Sequence, residues 1–147
     1  MSTKDSGRDA DPFGDALDVS SRESFAIEVQ RPTATVVVLR VEGKLDLWTS
    51  LPLMDAIIDA FHEHPELIAV DVSGVLSLDG TGLKALVEGS HRIEEARVRF
   101  SVVCPAGGEV ARLLGQTEAQ RALNVHESLD DALKPWLDEA GELPAGV

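Results

Sequence analysis

A run of six residues from Leu67 to Val72 is almost wholly apolar, and it limits the folds open to this chain. Its length and its β-branched residues indicate a strand, and it is far too short to cross a membrane. A strand with one face in water alternates apolar and polar residues, whereas a nearly continuous apolar run is typical of a central strand. We therefore expect a sheet that is covered on at least one face by helices.

The segments around this strand alternate between strand and helix patterns. Before it, the sequence predicts a strand over residues 24–30, a turn at 31–33, a strand over 34–42 and a helix capped by Thr49 or Ser50, with Pro52 in its first turn. After it, helices and strands alternate over 83–95, 97–104, 109–115, 122–126 and 128–136. The order predicts an α/β fold, a mixed sheet of about five strands with about four helices packed on it.

The two ends of the chain lack hydrophobic periodicity. Residues 1–24 are rich in Ser, Asp, Gly and Arg, which predicts a flexible N-terminal arm, and residues 137–147 predict a frayed tail. We expect a single domain over residues 25–136.

The charge of the chain narrows the choice of partner. Lys and Arg number 13 against 26 Asp and Glu, a net charge of −13 that disfavours binding to nucleic acid or to an anionic membrane surface. A partner with a basic patch is favoured instead. The single cysteine, Cys104, excludes an internal disulfide, and the N-terminus has no secretory signal. We expect a cytoplasmic protein that is not inserted in a membrane.

A Gly-Thr-Gly sequence opens the helix that follows the apolar strand. Such a helix start exposes backbone N–H groups, and its dipole favours negative charge. A phosphate on Thr81 would therefore be held well, and beside Asp79 it would add charge able to expel a partner. The alternative is that Thr81 or Asp79 only caps the helix, while Gly80 and Gly82 permit a tight turn.

Two residues near the preceding helix also have two interpretations. Asp46 either closes the bend at residues 43–45 as a cap, or it is a surface acid that contacts a partner. Trp48, in a predicted exposed turn, is either an interface anchor or a core residue, and core packing is the alternative for Trp136 as well.

The remaining candidates for chemistry favour no catalytic site. His62 and His64 are two residues apart on a helix and do not share a face, so a metal site is not expected. Cys104 is predicted to be a core thiol. Residues 105–108 lack the Gly-Lys-Ser/Thr ending of a phosphate-binding loop. The sequence therefore predicts no cofactor, no metal and no enzymatic activity.

Four segments carry a family resemblance, and they occur in order: Val41-Glu42-Gly43-Lys44-Leu45-Asp46-Leu47; Val70-Asp71-Val72-Ser73-Gly74-Val75 with Leu78-Asp79-Gly80-Thr81-Gly82-Leu83; Val110-Ala111-Arg112-Leu113-Leu114; and residues 125–133. Together they resemble a STAS domain of the anti-sigma factor antagonist type. The resemblance extends over residues 25–135 and implies a STAS-like fold.

The resemblance implies a binding module. Such an antagonist would bind an anti-sigma factor of the histidine-kinase-like ATPase fold and so free a sigma factor. Its partner-binding residues would be Asp46, Trp48, Asp79, Gly80, Thr81, Gly82 and Leu83. The phosphoserine of the family directly follows the loop aspartate, where this chain has Gly80, which lacks a hydroxyl. Thr81, one position later, is therefore the phosphorylation candidate.

Two other functions remain open, and so does the oligomeric state. The chain could be the cytoplasmic STAS subunit of an ABC-type lipid transport system, or a regulator that binds a small molecule or nucleotide. Whether it forms a homodimer is also open.

Overall fold

The structure is a computed structural model that describes residues 25–116 and 119–140. The predicted arm over residues 1–24 and residues 141–147 of the predicted tail lie outside these ranges, whereas residues 137–140 of that tail belong to the last helix. Five strands form one sheet in the order of the chain, with β1 antiparallel to β2 and the other neighbours parallel. The strands are β1 (Ala26–Thr33), β2 (Val36–Leu45), β3 (Leu67–Leu78), β4 (Arg99–Val103) and β5 (Val125–His126).

Helices connect the parallel strands, as crossovers in a parallel sheet require. They are α1 (Leu47–Phe61), α2 (Gly80–Glu95), α3 (Glu109–Gln116), the one-turn α4 (Ala119–Ala122) and α5 (Leu129–Ala140). The predicted α/β fold, with five strands and four longer helices, is confirmed. The sequence did not predict α4, and α5 extends past the predicted end at Trp136. Over the described residues, none of these helices combines the length and apolar character needed to cross a membrane.

The middle strands are buried on both faces, which explains the continuous apolar run. In β2, Val37, Leu39 and Val41 pack in a core shared with α1 to α4. The alternate residues Val36 and Val38 face the other side, where they pack with residues of α5. The sheet is therefore covered on both faces at its centre.

The first turn lies later than the sequence predicted. Arg31 to Thr33 belong to β1, and the turn consists of Ala34 and Thr35. Pro32 is tolerated because it lies in the edge strand β1, where the pairing with β2 is irregular between Gln30 and Thr33.

The strand that precedes the Gly-Thr-Gly sequence is also longer than predicted. The apolar run predicts a strand over residues 67–72, but β3 continues to Leu78 through irregular pairing with the end of β2. Register shifts in this pairing break the apolar pattern, so the extension carries no periodic signal. Asp71 and Ser73 therefore lie within β3, where Asp71 accepts hydrogen bonds from the backbone N–H and the hydroxyl of Ser73.

Candidate functional site

Two helices begin side by side at one edge of the sheet. The last residues of β2 and β3, Leu45 and Leu78, are paired, and each is followed by an aspartate that caps a helix. The backbone N–H of Asp79 donates to the Leu45 carbonyl at 3.3 Å, which ties the two helix starts together. The structure thus brings Asp46 and its neighbours to the Gly-Thr-Gly segment, two regions that the sequence singled out separately.

Asp46 begins α1 through a capping box. Its Oδ1 accepts from the backbone N–H of Trp48 at 3.0 Å and of Thr49 at 3.2 Å. In return the Thr49 hydroxyl accepts from the Asp46 N–H at 2.9 Å and donates to the Lys44 carbonyl at 2.7 Å. The predicted cap at Thr49 or Ser50 is therefore wrong. Helix α1 begins at Leu47, and Pro52 is its sixth residue, beyond the first turn.

Removing this cap gives a direct test of its energy. We expect Asp46→Ala to lower the free energy of unfolding by roughly 1–2 kcal/mol, because two backbone donors lose their acceptor. Asp46→Asn keeps an acceptor oxygen and should cost only about 0.3 kcal/mol. Urea denaturation followed by circular dichroism measures both variants. Equal losses for the two would contradict a capping origin of the stability.

Asp79 begins α2, and it leaves Thr81 at the surface. Its Oδ1 accepts from the Gly82 N–H at 2.9 Å, and its carbonyl accepts from the Leu83 N–H at 2.9 Å. The cap is thus Asp79, and Thr81 is the second residue of the helix with its side chain exposed. The structure therefore shows the capping role of Asp79 and also an accessible hydroxyl next to it.

The two glycines of this turn have opposite surroundings. A Cβ on Gly80 would meet no heavy atom within 4 Å. A Cβ on Gly82 would lie 2.5 Å from the Leu45 carbonyl oxygen and 2.9 Å from its carbon. Gly82 therefore permits the close approach of α2 to the end of β2, whereas Gly80 is in open space.

Large apolar side chains are exposed next to this turn. Trp48, in the first turn of α1, is 81% exposed, and Leu47 and Leu51 are 57% and 69% exposed. Core packing is therefore excluded for Trp48, whereas Trp136 packs against the buried cluster under α5. Leu47 and Leu51 were not among the predicted site residues, because the helix was predicted to begin after Thr49 or Ser50. Their spacing of four residues was the available signal.

The remaining candidates lie apart from this turn. Cys104 is 4% exposed, as predicted for a core thiol, and burial, followed by the nearby charge of Asp71, raises its pKa. It lines a pocket of about 640 Å³ between the end of β4 and α3. Within residues 25–116 and 119–140, no three His, Cys, Asp or Glu side chains are grouped to hold a metal ion.

Comparisons with known proteins show the family and the fold of the chain. The STAS domain family matches residues 26–132. The anti-sigma-F factor antagonist RsfB of Mycobacterium tuberculosis is 34% identical over 102 residues, which cover 67% of this chain and 79% of RsfB. A crystal structure of an anti-sigma factor antagonist from Mycobacterium paratuberculosis superposes with a TM-score of 0.68 at 26% identity, covering 77% of this chain and 94% of that one. The antagonist SpoIIAA in its unphosphorylated form shares the fold, with a TM-score of 0.55 at 18% identity, covering 83% and 98%.

Proposed function

The chain belongs to the STAS domain family, and from that membership we propose that it is an anti-sigma factor antagonist. In this role it binds an anti-sigma factor of the histidine-kinase-like ATPase fold and frees the sigma factor that the partner holds. The names of its relatives RsfB and the Mycobacterium paratuberculosis antagonist support the role. The observation that carries it is the exposed turn at the paired helix starts, where a partner can reach residues from both helices.

The docking face consists of Asp46, Trp48 and residues 79–83. Trp48 is the largest exposed apolar side chain there, and interface anchors are commonly Trp residues. Asp46 and Asp79 cap the two helices, so they fix the shape of the face and also contribute its negative charge. A partner surface with a hydrophobic centre and a basic rim complements this face.

Phosphorylation of Thr81 is the proposed control. Gly80 cannot accept a phosphate, and the Thr81 hydroxyl is exposed one residue later. The Gly82 N–H already donates to the Asp79 carboxylate. A phosphate on Thr81 would therefore compete with that carboxylate for the backbone N–H donors at the start of α2. A phosphate brings a charge of about −2 at neutral pH to a turn that already holds one carboxylate. A partner fitted to the unmodified turn would then have to bury the additional charge of the phosphate.

Isolation of the tagged protein from its native host tests the function. Mass spectrometry of the captured proteins is expected to find a kinase-fold anti-sigma factor and to place phosphate on Thr81. The purified chain, added to the complex of that anti-sigma factor with its sigma factor, is expected to release the sigma factor and restore transcription in vitro. Capture of an ABC ATPase with no anti-sigma factor would replace this proposal with the transport alternative.

A further inference from the structure

The apolar residues of α1 continue beyond the docking face as a ridge, in which Leu47, Leu51 and Ile58 are exposed and Met54 is half-buried against the core. Leu47, Leu51, Met54 and Ile58 are spaced i, i+4, i+7 and i+11, which places them in one row along a helix. The Ile58 side chain is 43% exposed at the far end of the row. Met54 lies against α2, since a Cβ on Gly89 would be 3.4 Å from its Sδ. The ridge therefore follows the side of α1 that is turned towards α2.

Helix α2 supplies a second row that faces this ridge. Gly89 marks the side of α2 next to α1, while Ser90 donates to the Ala122 carbonyl on the opposite side. Helical periodicity places four residues of α2 in a row at the surface, next to Gly89 and on the side away from Ser90. This row therefore borders α1. Its four residues are Thr81, Ala85, Glu88 and Arg92. A groove between α1 and α2 thus has an apolar wall on one side and Thr81 at its start on the other.

We propose that this groove binds an amphipathic helix of the partner, one with an apolar stripe flanked by Lys and Arg residues. The inference rests on the proposed function, because it identifies the part of the anti-sigma factor that docks. The ridge from Leu47 to Ile58 is about 17 Å long, which matches three turns of helix. An apolar stripe with i, i+3, i+4 and i+7 anchors is the usual ligand of such a groove.

The charges around the groove favour this occupant over a second copy of the chain. Asp55 and Asp59 lie exposed on α1 along the outer side of the ridge, and Glu88 lies on the opposite wall. Arg92 is the basic residue of the α2 row, at the end away from the docking face. Two copies joined at this groove would bring acidic borders together on chains that each carry a net charge of −13. Basic flanks on a partner helix would instead meet opposite charge.

A synthetic peptide tests the groove independently of the identity of the partner. The probe is a dye-labelled peptide of about 15 residues with Leu at i, i+4, i+7 and i+11 and Lys on the flanks, long enough to become helical when bound. A second peptide of the same composition has its Leu residues distributed around the helix. Fluorescence anisotropy with the full chain is expected to show binding of the first peptide and at least about tenfold weaker binding of the second.

Variants of the chain locate the binding. Leu47→Gln with Leu51→Gln should weaken binding of the amphipathic peptide about tenfold, because both anchors of the ridge are lost while helix propensity is kept. Val29→Thr is the control outside the ridge, because Val29 is also an exposed apolar residue, 42% exposed, but lies on the edge strand β1. It should change the affinity by less than about twofold, as expected outside a binding site.

The outcomes separate the groove from the proposed function. Equal binding to the wild type and to the double variant, or equal binding of the two peptides, would overturn the groove. If the anti-sigma factor binds the wild type and the double variant equally, the groove is not its docking site and the proposed function stands. If no anti-sigma factor binds but the peptide shows the expected losses, the groove stands and the proposed function fails.

Discussion

Gly82→Ala is expected to lower the free energy of unfolding by roughly 3 kcal/mol, the upper range for overpacking a well-packed site. The new methyl group would lie 2.5 Å from the Leu45 carbonyl oxygen, and backbone cannot move aside as a flexible side chain does. Relief requires α2 to move away from the end of β2. That movement would weaken the bond from the Asp79 N–H to Leu45, which joins the two helix starts. Thermal unfolding should show a melting temperature lower by about 10 °C for a chain of this size.

Gly80→Ala is the matched control for this prediction. The substitution is chemically identical, lies two residues away in the same helical turn, and places its methyl group where no heavy atom lies within 4 Å. We expect it to raise the free energy of unfolding by about 0.5 kcal/mol, because alanine restricts the unfolded chain more than glycine does. Both variants change the unfolded state alike, so the difference between them measures the contact with Leu45. Similar stabilities for the two would contradict the close approach at Gly82.

The parallel order of the two strands at this site could be anticipated from the sequence, but their ends at Leu45 and Leu78 could not. The apolar run before the Gly-Thr-Gly segment identified β3 as a central strand, and alternating helices implied parallel neighbours. Because parallel strands end at the same edge of a sheet, this order was sufficient to place the residues after β2 and β3 near one another, but that inference was not part of the prediction from the sequence. Asp46 and Asp79 each follow such a strand, and the structure makes both of them helix caps.

The beginning of α1 could not be anticipated, because three residues there can serve as a cap. Asp46, Thr49 and Ser50 all have suitable side chains, and local sequence does not rank them. In the structure, the Lys44 carbonyl accepts a hydrogen bond from the Thr49 hydroxyl. This bond holds Thr49 at the third position of the helix, so that Asp46 is the cap. Because α1 begins at Leu47 and not after Thr49 or Ser50, it has an additional exposed turn. The apolar ridge was missed for this reason.

Thr81→Glu is expected to weaken binding of the anti-sigma factor about a hundredfold, as the burial of an uncompensated charge costs several kcal/mol. Two effects oppose each other, since a carboxylate at the docking face also attracts basic residues of a partner. An exposed ion pair contributes only about 0.2–1 kcal/mol, which is less than the cost of desolvating a charge under an apolar stripe. The desolvation cost therefore exceeds the gain from an ion pair, so we expect a net loss of affinity. This loss should change little with salt concentration. Titration calorimetry at two salt concentrations measures it.

Thr81→Gln separates the charge from the shape of the side chain. Glutamine has the size of glutamate without its charge, so we expect it to weaken binding by less than about tenfold, as a neutral polar change at an exposed position should. Circular dichroism should show both variants folded, because Thr81 is exposed and its carboxylate replacement lies in the first turn of α2, where the helix dipole favours negative charge. If glutamine and glutamate weaken binding equally, the size of the side chain controls docking and the phosphorylation switch is wrong. If neither has an effect, the partner does not cover Thr81, and control must act at another residue.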